Sequence, residues 1–227
     1  MSHIKNFDCD DQLFNFIRSH TISEMGRGSE GICLRGKDGY AYKQIDPGVS
    51  FGRGYEIENI ITTEDIDLPS FAFPKELYGV NNELRGYKTI LVENDLFRPD
   101  NTTYISTIDT INFKNLAKAY NEMAADVLTL SDEGILMYDF PFNVLFDGEK
   151  LIAVDTCGYK RVDYNPKEDN ISSLNYSIEM IFSMWFDTYK KVDLSIENMD
   201  IESYLERIYK KLPGRLKYKV KEKCKTR

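Results

Sequence analysis

The sequence predicts an α+β fold arranged as two lobes around a cleft, and three observations carry that expectation. Short strand-forming runs punctuated by glycine crowd residues 22–92. Amphipathic helical periodicity takes over from residue 113 onward. A small set of polar motifs is divided between the two halves. The expected division is 1–94 as an antiparallel sheet with one packed helix, and 95–227 as a reduced, mainly helical half, the two forming one functional domain.

The elements follow in order. Leu13, Phe14, Phe16 and Ile17 suggest a short opening helix within residues 9–19. Gly36-Lys37-Asp38-Gly39 is a tight-turn candidate joining strands Ile32–Arg35 and Tyr40–Ile45. A short helix is expected through Tyr55–Ile61. Strands Glu76–Val80 and Tyr87–Val92 flank a turn at Asn81-Asn82. About five strands are therefore expected in the first half. Phe113, Leu116, Ala117, Tyr120, Met123, Ala124, Val127 and Leu128 recur at three- and four-residue steps, the signature of a helix with one apolar side. Val144–Phe146 and Leu151–Val154 read as a hairpin around Asp147-Gly148. Ile171, Leu174, Ile178, Ile181, Phe182, Trp185 and Phe186 define another helix, and a last one near Ile201–Leu212 stops before Pro213-Gly214.

Bulk properties bound the function. At 227 residues, 42% hydrophobic and 13% aromatic, the chain can bury a sizeable core. No apolar run reaches the ~18 residues of a membrane span, and the N-terminus lacks the basic start and apolar block of a signal peptide. Four scattered cysteines without Cys-x-x-Cys spacing suggest neither a zinc site nor a disulfide framework, so a reduced, cytoplasmic setting is expected. His3 and His20 are the only histidines and lie far from the motifs. The net charge of −8 divides into −17 for residues 1–206 and +9 for residues 207–227. An acidic body disfavours nonspecific nucleic-acid binding, whereas the basic segment could contact an anionic partner.

The motifs point to phosphate chemistry. Gly26-Arg27-Gly28-Ser29-Glu30-Gly31 is a Gly-x-Gly-x-x-Gly string, in which backbone amides can approach phosphate oxygens without side-chain collision. Dinucleotide-binding folds use the same string to open a helix, but here Gly31 opens the strand-like Ile32-Cys33-Leu34-Arg35. Lys43 follows on a predicted strand, where its ammonium could neutralise part of a triphosphate. Such a lysine needs an anionic partner, with Glu56 the first candidate and Glu58 the alternate. Asp139 and Asn143 fall in a loop between helix and hairpin, a setting where the carboxylate can orient an attacking hydroxyl and the amide oxygen can coordinate magnesium. Leu151-Ile-Ala-Val-Asp155 then ends a buried-looking strand in a second carboxylate within reach of the same metal.

Taken together, these residues resemble the protein-kinase-like superfamily. Gly26–Gly31 is similar to its glycine loop, Lys43 to the lysine of Val-Ala-Ile-Lys, and Glu56 to the partner on the first large helix. Leu91-Val92-Glu93 resembles the approach to the hinge that grips adenine. Gly134–Asp139 resembles the run into His-Arg-Asp, and Asn143-Val-Leu-Phe-Asp the Asn-Ile-Leu-Leu-Asp after it. Asp155 matches the Asp of Asp-Phe-Gly, and Asn170 stands where the central helix of the second lobe usually begins with Asp. The resemblance covers residues 21–186. It implies a bilobal kinase-like fold and transfer of the γ-phosphate of ATP, with Mg2+, to a Ser/Thr hydroxyl of a protein. Asp139 and Lys43 would then be catalytic, Gly26, Gly28, Gly31, Lys43, Glu56 and Glu93 would bind nucleotide, and Asn143 and Asp155 would hold the metal.

The departures shape the alternatives. Four steps, not five, separate Asp139 from Asn143; Met137 and Tyr138 replace His and Arg; the glycine of Asp155-Thr-Cys-Gly comes one position late; no Ala-Pro-Glu is present. A nucleotide-binding pseudokinase, a small-molecule kinase of the aminoglycoside or choline type, and a nucleic-acid-binding protein acting through residues 207–227 are the competing readings. A convergence of Lys43, Asp139, Asn143 and Asp155 beneath the backbone of 26–31 is what the first reading requires.

Overall fold

The computed structural model describes residues 4–47, 57–97, 111–138, 143–187, 195–196, 199–212, 214 and 217. The chain divides into two compact units. Unit 1 is Met1–Val92 together with Asp155–Lys160, and unit 2 is Glu93–Val154 together with Arg161–Arg227.

Unit 1 is built on a six-stranded sheet. Its strands are β1 (Ile4–Phe7), β2 (Thr21–Arg27), β3 (Gly31–Gly36), β4 (Tyr40–Ile45), β5 (Glu76–Val80) and β6 (Glu83–Ile90), in the spatial order β1-β5-β6-β4-β3-β2. The sheet is mixed, which corrects the expectation of an antiparallel one: β1 runs parallel to β5, pairing Ile4 with Leu77 through Phe7 with Val80. The other pairings are antiparallel. Four residues of β1 carry too little alternation to declare a strand, and its partner lies more than seventy positions away. Two-residue turn chemistry fixes the β5–β6 hairpin, where Asn81 and Asn82 both take positive φ (53° and 63°) between the paired Val80 and Glu83.

Strand alternation gives this sheet two different faces. One face carries the cross-strand row Cys33, Lys43, Tyr87 and Leu77. It packs Ile45, Ile57, Ile60, Leu77, Leu84, Tyr87 and Cys157 into one cluster. In β6 the register passes from Tyr78↔Gly86 to Gly79↔Leu84, so Arg85 is an extra residue. That bulge is what brings Leu84 and Tyr87, an odd number of positions apart, onto the same face. The opposite face is covered by helix α1 (Asp10–His20), whose fully buried Leu13 and Ile17 meet Leu34, Tyr42, Tyr78 and Val80. Burying each such aliphatic side chain contributes about 1.5–3 kcal/mol. Asp10 and Asp11 in the first turn and Arg18 and His20 in the last complement the helix dipole.

The helix expected through Tyr55–Ile61 is not formed over its described part, which holds a single 3-10 turn at Ile57–Asn59. The β-branched run Ile60-Ile61-Thr62-Thr63 resists helix. Asp65 Oδ2 instead accepts from the Thr62 N–H at 2.8 Å and from its hydroxyl at 3.0 Å, which stops the segment. Ile57, Ile60 and Ile61 are still buried, so the apolar pattern is satisfied without a helix.

Unit 2 is mainly helical. Helix α2 (Phe113–Asp132) starts at Asn112, whose side chain accepts from the N–H groups of Lys114 and Asn115. It is followed by the short strand β7 (Ile135–Leu136), the hairpin β8 (Val144–Phe146) and β9 (Leu151–Ala153), and helices α3 (Lys167–Asp187) and α4 (Ile201–Lys211). Asp147 Oδ1 accepts from the Glu149 and Lys150 N–H groups and fixes the hairpin loop. Edge-on contacts of the Phe182 ring with Phe113 and Tyr204, each at 5.9 Å, tie α2, α3 and α4 together. Among the described residues no helix is long and apolar enough to cross a membrane.

Candidate functional site

The glycine string forms the tip of the β2–β3 hairpin. Arg27 pairs with Ile32, and the Gly28 N–H donates to the Gly31 carbonyl at 2.9 Å, leaving Ser29 and Glu30 at the apex. Gly26 pairs with Cys33 beside an irregularity between Glu24 and Gly26. The glycines are not equivalent. Gly31 sits at φ 151°, and a Cβ there would lie 2.0 Å from the Gln44 carbonyl oxygen, so its lack of a side chain is a packing requirement. A Cβ on Gly28 would meet nothing within 4 Å. Packing does not require glycine there, and its absence of side chain leaves open space over the hairpin tip.

Lys43 lies on β4, two residues before the pairing of Ile45 with Gly31. Its residue exposure is only 9%, and burying an ammonium demands a counter-charge. Asp155 supplies it, accepting from Lys43 Nζ at 3.0 Å on Oδ2 and 3.2 Å on Oδ1. Tyr87, opposite Lys43 across the β4–β6 pair, donates its buried hydroxyl to Oδ1 of the same carboxylate. Asp155 follows strand β9 in sequence and has a left-handed backbone (φ 54°, ψ 43°), which costs an L-residue energy but is tolerated best by Asn and Asp. The segment behind it holds that conformation. Thr156–Gly158 forms a buried 3-10 turn, Cys157 enters the apolar cluster, and the Tyr159 ring stands edge-on against Phe71 and Phe73. Cys157 is thus a packing residue.

Electrostatics define the protonation states. Burial by itself pulls the Lys43 pKa down, but the Asp155 carboxylate outweighs it and the net displacement is upward, so Lys43 is charged at neutral pH. Burial, reinforced by the Asp155 charge, holds the Tyr87 phenol protonated well above its usual range, which keeps it a donor. Burial also raises the Cys33 thiol, against the lowering effect of Lys43, and raises Cys157. Neither is a ready thiolate nucleophile.

Among the remaining expected site residues, Glu56 and Asp139 lie outside the described residues. The partner that holds Lys43 among the described residues is Asp155, where Glu56 was the first expectation. Glu58, the alternate, is exposed on the 3-10 turn. Glu93 is exposed at the first position of unit 2. Just beyond it Asp95 Oδ1 accepts from the N–H groups of Phe97 and Phe146, and the Leu96 N–H donates to Phe146. Asn143 is half-buried where the β8–β9 hairpin opens, its carbonyl accepting from Val154 at 2.8 Å.

A buried amide anchors the backbone leading to Asp139. Asn170, fully buried on α3, accepts from the Met137 N–H at 2.8 Å and donates to the Ile135 carbonyl at 2.8 Å and the Ser131 hydroxyl at 2.9 Å. Every polar atom of that side chain is engaged, which rigidifies the segment two residues before Asp139. Tyr138 between them is exposed.

Tyr87 was missed by sequence reasoning. A tyrosine on a strand that is buried signals a hydroxyl in need of a partner, but naming the partner requires the register. Among the described residues no group of three or more His, Cys, Asp or Glu side chains is placed to hold a metal unaided. Magnesium does not require one, since one or two carboxylates plus phosphate oxygens and water complete its octahedron, and Asp155 offers a suitable hard oxygen ligand. No family model matches the chain, and no curated protein matches it.

Proposed function

We propose that the chain is an ATP-dependent phosphotransferase of bilobal, protein-kinase-like design, transferring a phosphoryl group to a hydroxyl, with a Ser/Thr side chain of a protein as the favoured acceptor. The observation that carries this reading is the buried Lys43 held by a partly exposed Asp155, on the strand that follows an open glycine hairpin. A buried cation paired with an incompletely covered carboxylate can hand its charge to a phosphate group while the carboxylate takes up a cation. The open space at Gly28 provides the uncrowded approach to the backbone that phosphate oxygens need. Magnesium, when bound, would neutralise charge on the transferring phosphates. Asp155 and Asn143 are its assigned ligands, Asp139 orients the acceptor hydroxyl, and Asn170 steadies the backbone before Asp139. Glu56 and Glu93 keep their assigned places beside the lysine and the adenine. These roles for Asp139, Asn143, Glu56 and Glu93 rest on the order of the motifs. Catalysis of this type is positioning plus electrostatics, with little covalent chemistry asked of the protein.

A second reading, nucleotide binding without transfer, is favoured by one feature: the Asp155 carboxylate is already engaged by both Lys43 and Tyr87. Two measurements separate the readings. ATP with magnesium at a hundredfold excess over its dissociation constant is expected to stabilise the protein by about 2.7 kcal/mol. For a chain of this size the melting temperature then rises by about 5–10 °C, with weaker magnesium dependence in Asp155→Ala. The absence of any nucleotide-dependent shift refutes both. Transfer of labelled phosphate to a mixed protein pool, lost in Asp139→Ala, selects the enzyme, and binding without transfer selects the second reading.

A further inference from the structure

Building on the phosphotransferase reading, we propose that Tyr87 is a positioning residue that reserves one oxygen of Asp155 for a divalent cation. The carboxylate has about four lone-pair positions. In the structure Tyr87 takes one on Oδ1, and Lys43 takes one on each oxygen. The two donors differ in freedom. Lys43 is a flexible ammonium whose role is to turn to phosphate, whereas the Tyr87 ring is packed into the cluster of Ile45, Leu77, Leu84 and Cys157 and has nowhere else to go. When Lys43 leaves, Oδ1 still carries the Tyr87 hydroxyl, and Oδ2 is freed of the Lys43 donor.

Single-oxygen presentation matters for the choice of ion. The two oxygens of one carboxylate subtend less than the right angle between neighbouring corners of an octahedron, so bidentate ligation strains a magnesium site, whereas calcium accepts it readily. Tyr87 therefore biases Asp155 toward magnesium. It also braces the Asp155 carboxylate, whose left-handed backbone is held by the buried turn behind it. Partners that orient a ligand in this way usually contribute ten- to a hundredfold in metal affinity, roughly.

The test is Tyr87→Phe, which removes one hydroxyl and keeps the ring. Protein saturated with a nonhydrolysable ATP analogue is titrated with MgCl2, and separately with CaCl2, following the melting temperature; analogue affinity is also measured in EDTA. The expected result is a magnesium midpoint raised on the order of tenfold, a clearly smaller change for calcium, and unchanged analogue affinity in EDTA. A rise under threefold for magnesium, an equal rise for calcium, or a parallel loss of affinity in EDTA overturns the proposal, and a lower metal-free melting temperature alone does not rescue it. Wild-type protein that binds no nucleotide, with or without metal, removes instead the phosphotransferase reading on which this rests.

Discussion

The Lys43 side chain is 11% exposed and the Asp155 side chain 34%, and this difference decides what each substitution costs. Removing the negative charge leaves a buried ammonium without the carboxylate that accepts from it, whereas removing the lysine leaves a carboxylate that water reaches and Tyr87 still serves. Asp155→Asn, which keeps the tolerance for a left-handed backbone, is expected to destabilise by about 2–3 kcal/mol, and Lys43→Met by about 1 kcal/mol, in urea unfolding. A larger loss for Lys43→Met would contradict the assigned burial. Asn170 offers a second single-atom test. Its amide nitrogen faces the Ile135 carbonyl, so Asn170→Asp sets two acceptors against each other in a fully buried place. That variant is expected to lose at least about 2 kcal/mol, whereas an unchanged unfolding midpoint would refute the donor role.

At the scale of elements, the glycine hairpin separates a packing glycine from an open one. Gly31→Ala drives a methyl group into the Gln44 carbonyl and is expected to cost more than about 2 kcal/mol of stability. Gly28→Ala meets open space and should leave the unfolding midpoint nearly unchanged while weakening ATP binding in the thermal-shift assay. Elements with strong local rules were legible in the sequence: the turn at Asn81-Asn82, the 20-residue helix α2 with its apolar stripe, and the β8–β9 hairpin. Lys43 on a strand, and Asp155 just after one, were legible for the same reason. Elements set by distant partners were not. The parallel pairing of β1, the bulge at Arg85 that puts Leu84 on the same face as Tyr87, and the choice of Asp155 as counter-ion all depend on register between remote segments. Residues 57–61 carried a helical apolar pattern, yet β-branching and the Thr62–Asp65 contacts overrode it.

For the molecule as a whole, alkaline pH is the informative axis. Lys43 titrates above its ordinary 10.5, raised by Asp155 against the lowering effect of burial. Tyr42 in unit 1 and Tyr120 in unit 2 are each pushed from 10.0 to about 12, chiefly by burial. A group whose folded pKa is raised contributes fully below its unfolded value and loses that contribution as pH climbs through the folded one. Stability is therefore expected to decline from pH 10 upward, most steeply between about 10 and 12, with a shallower decline in Tyr42→Phe. A urea midpoint that stays flat to pH 12 would contradict these assignments. The chain also leaves unit 1 after Val92 and comes back to it only for Asp155–Lys160. A ribosome that has released residues up to Val92 but not yet Asp155–Lys160 has therefore exported a sheet still missing the counter-ion of Lys43 and the aromatic wedge of Tyr159. Maturation of that sheet must wait until Asp155–Lys160 have been synthesised, which makes the nascent sheet a natural client for holdase chaperones.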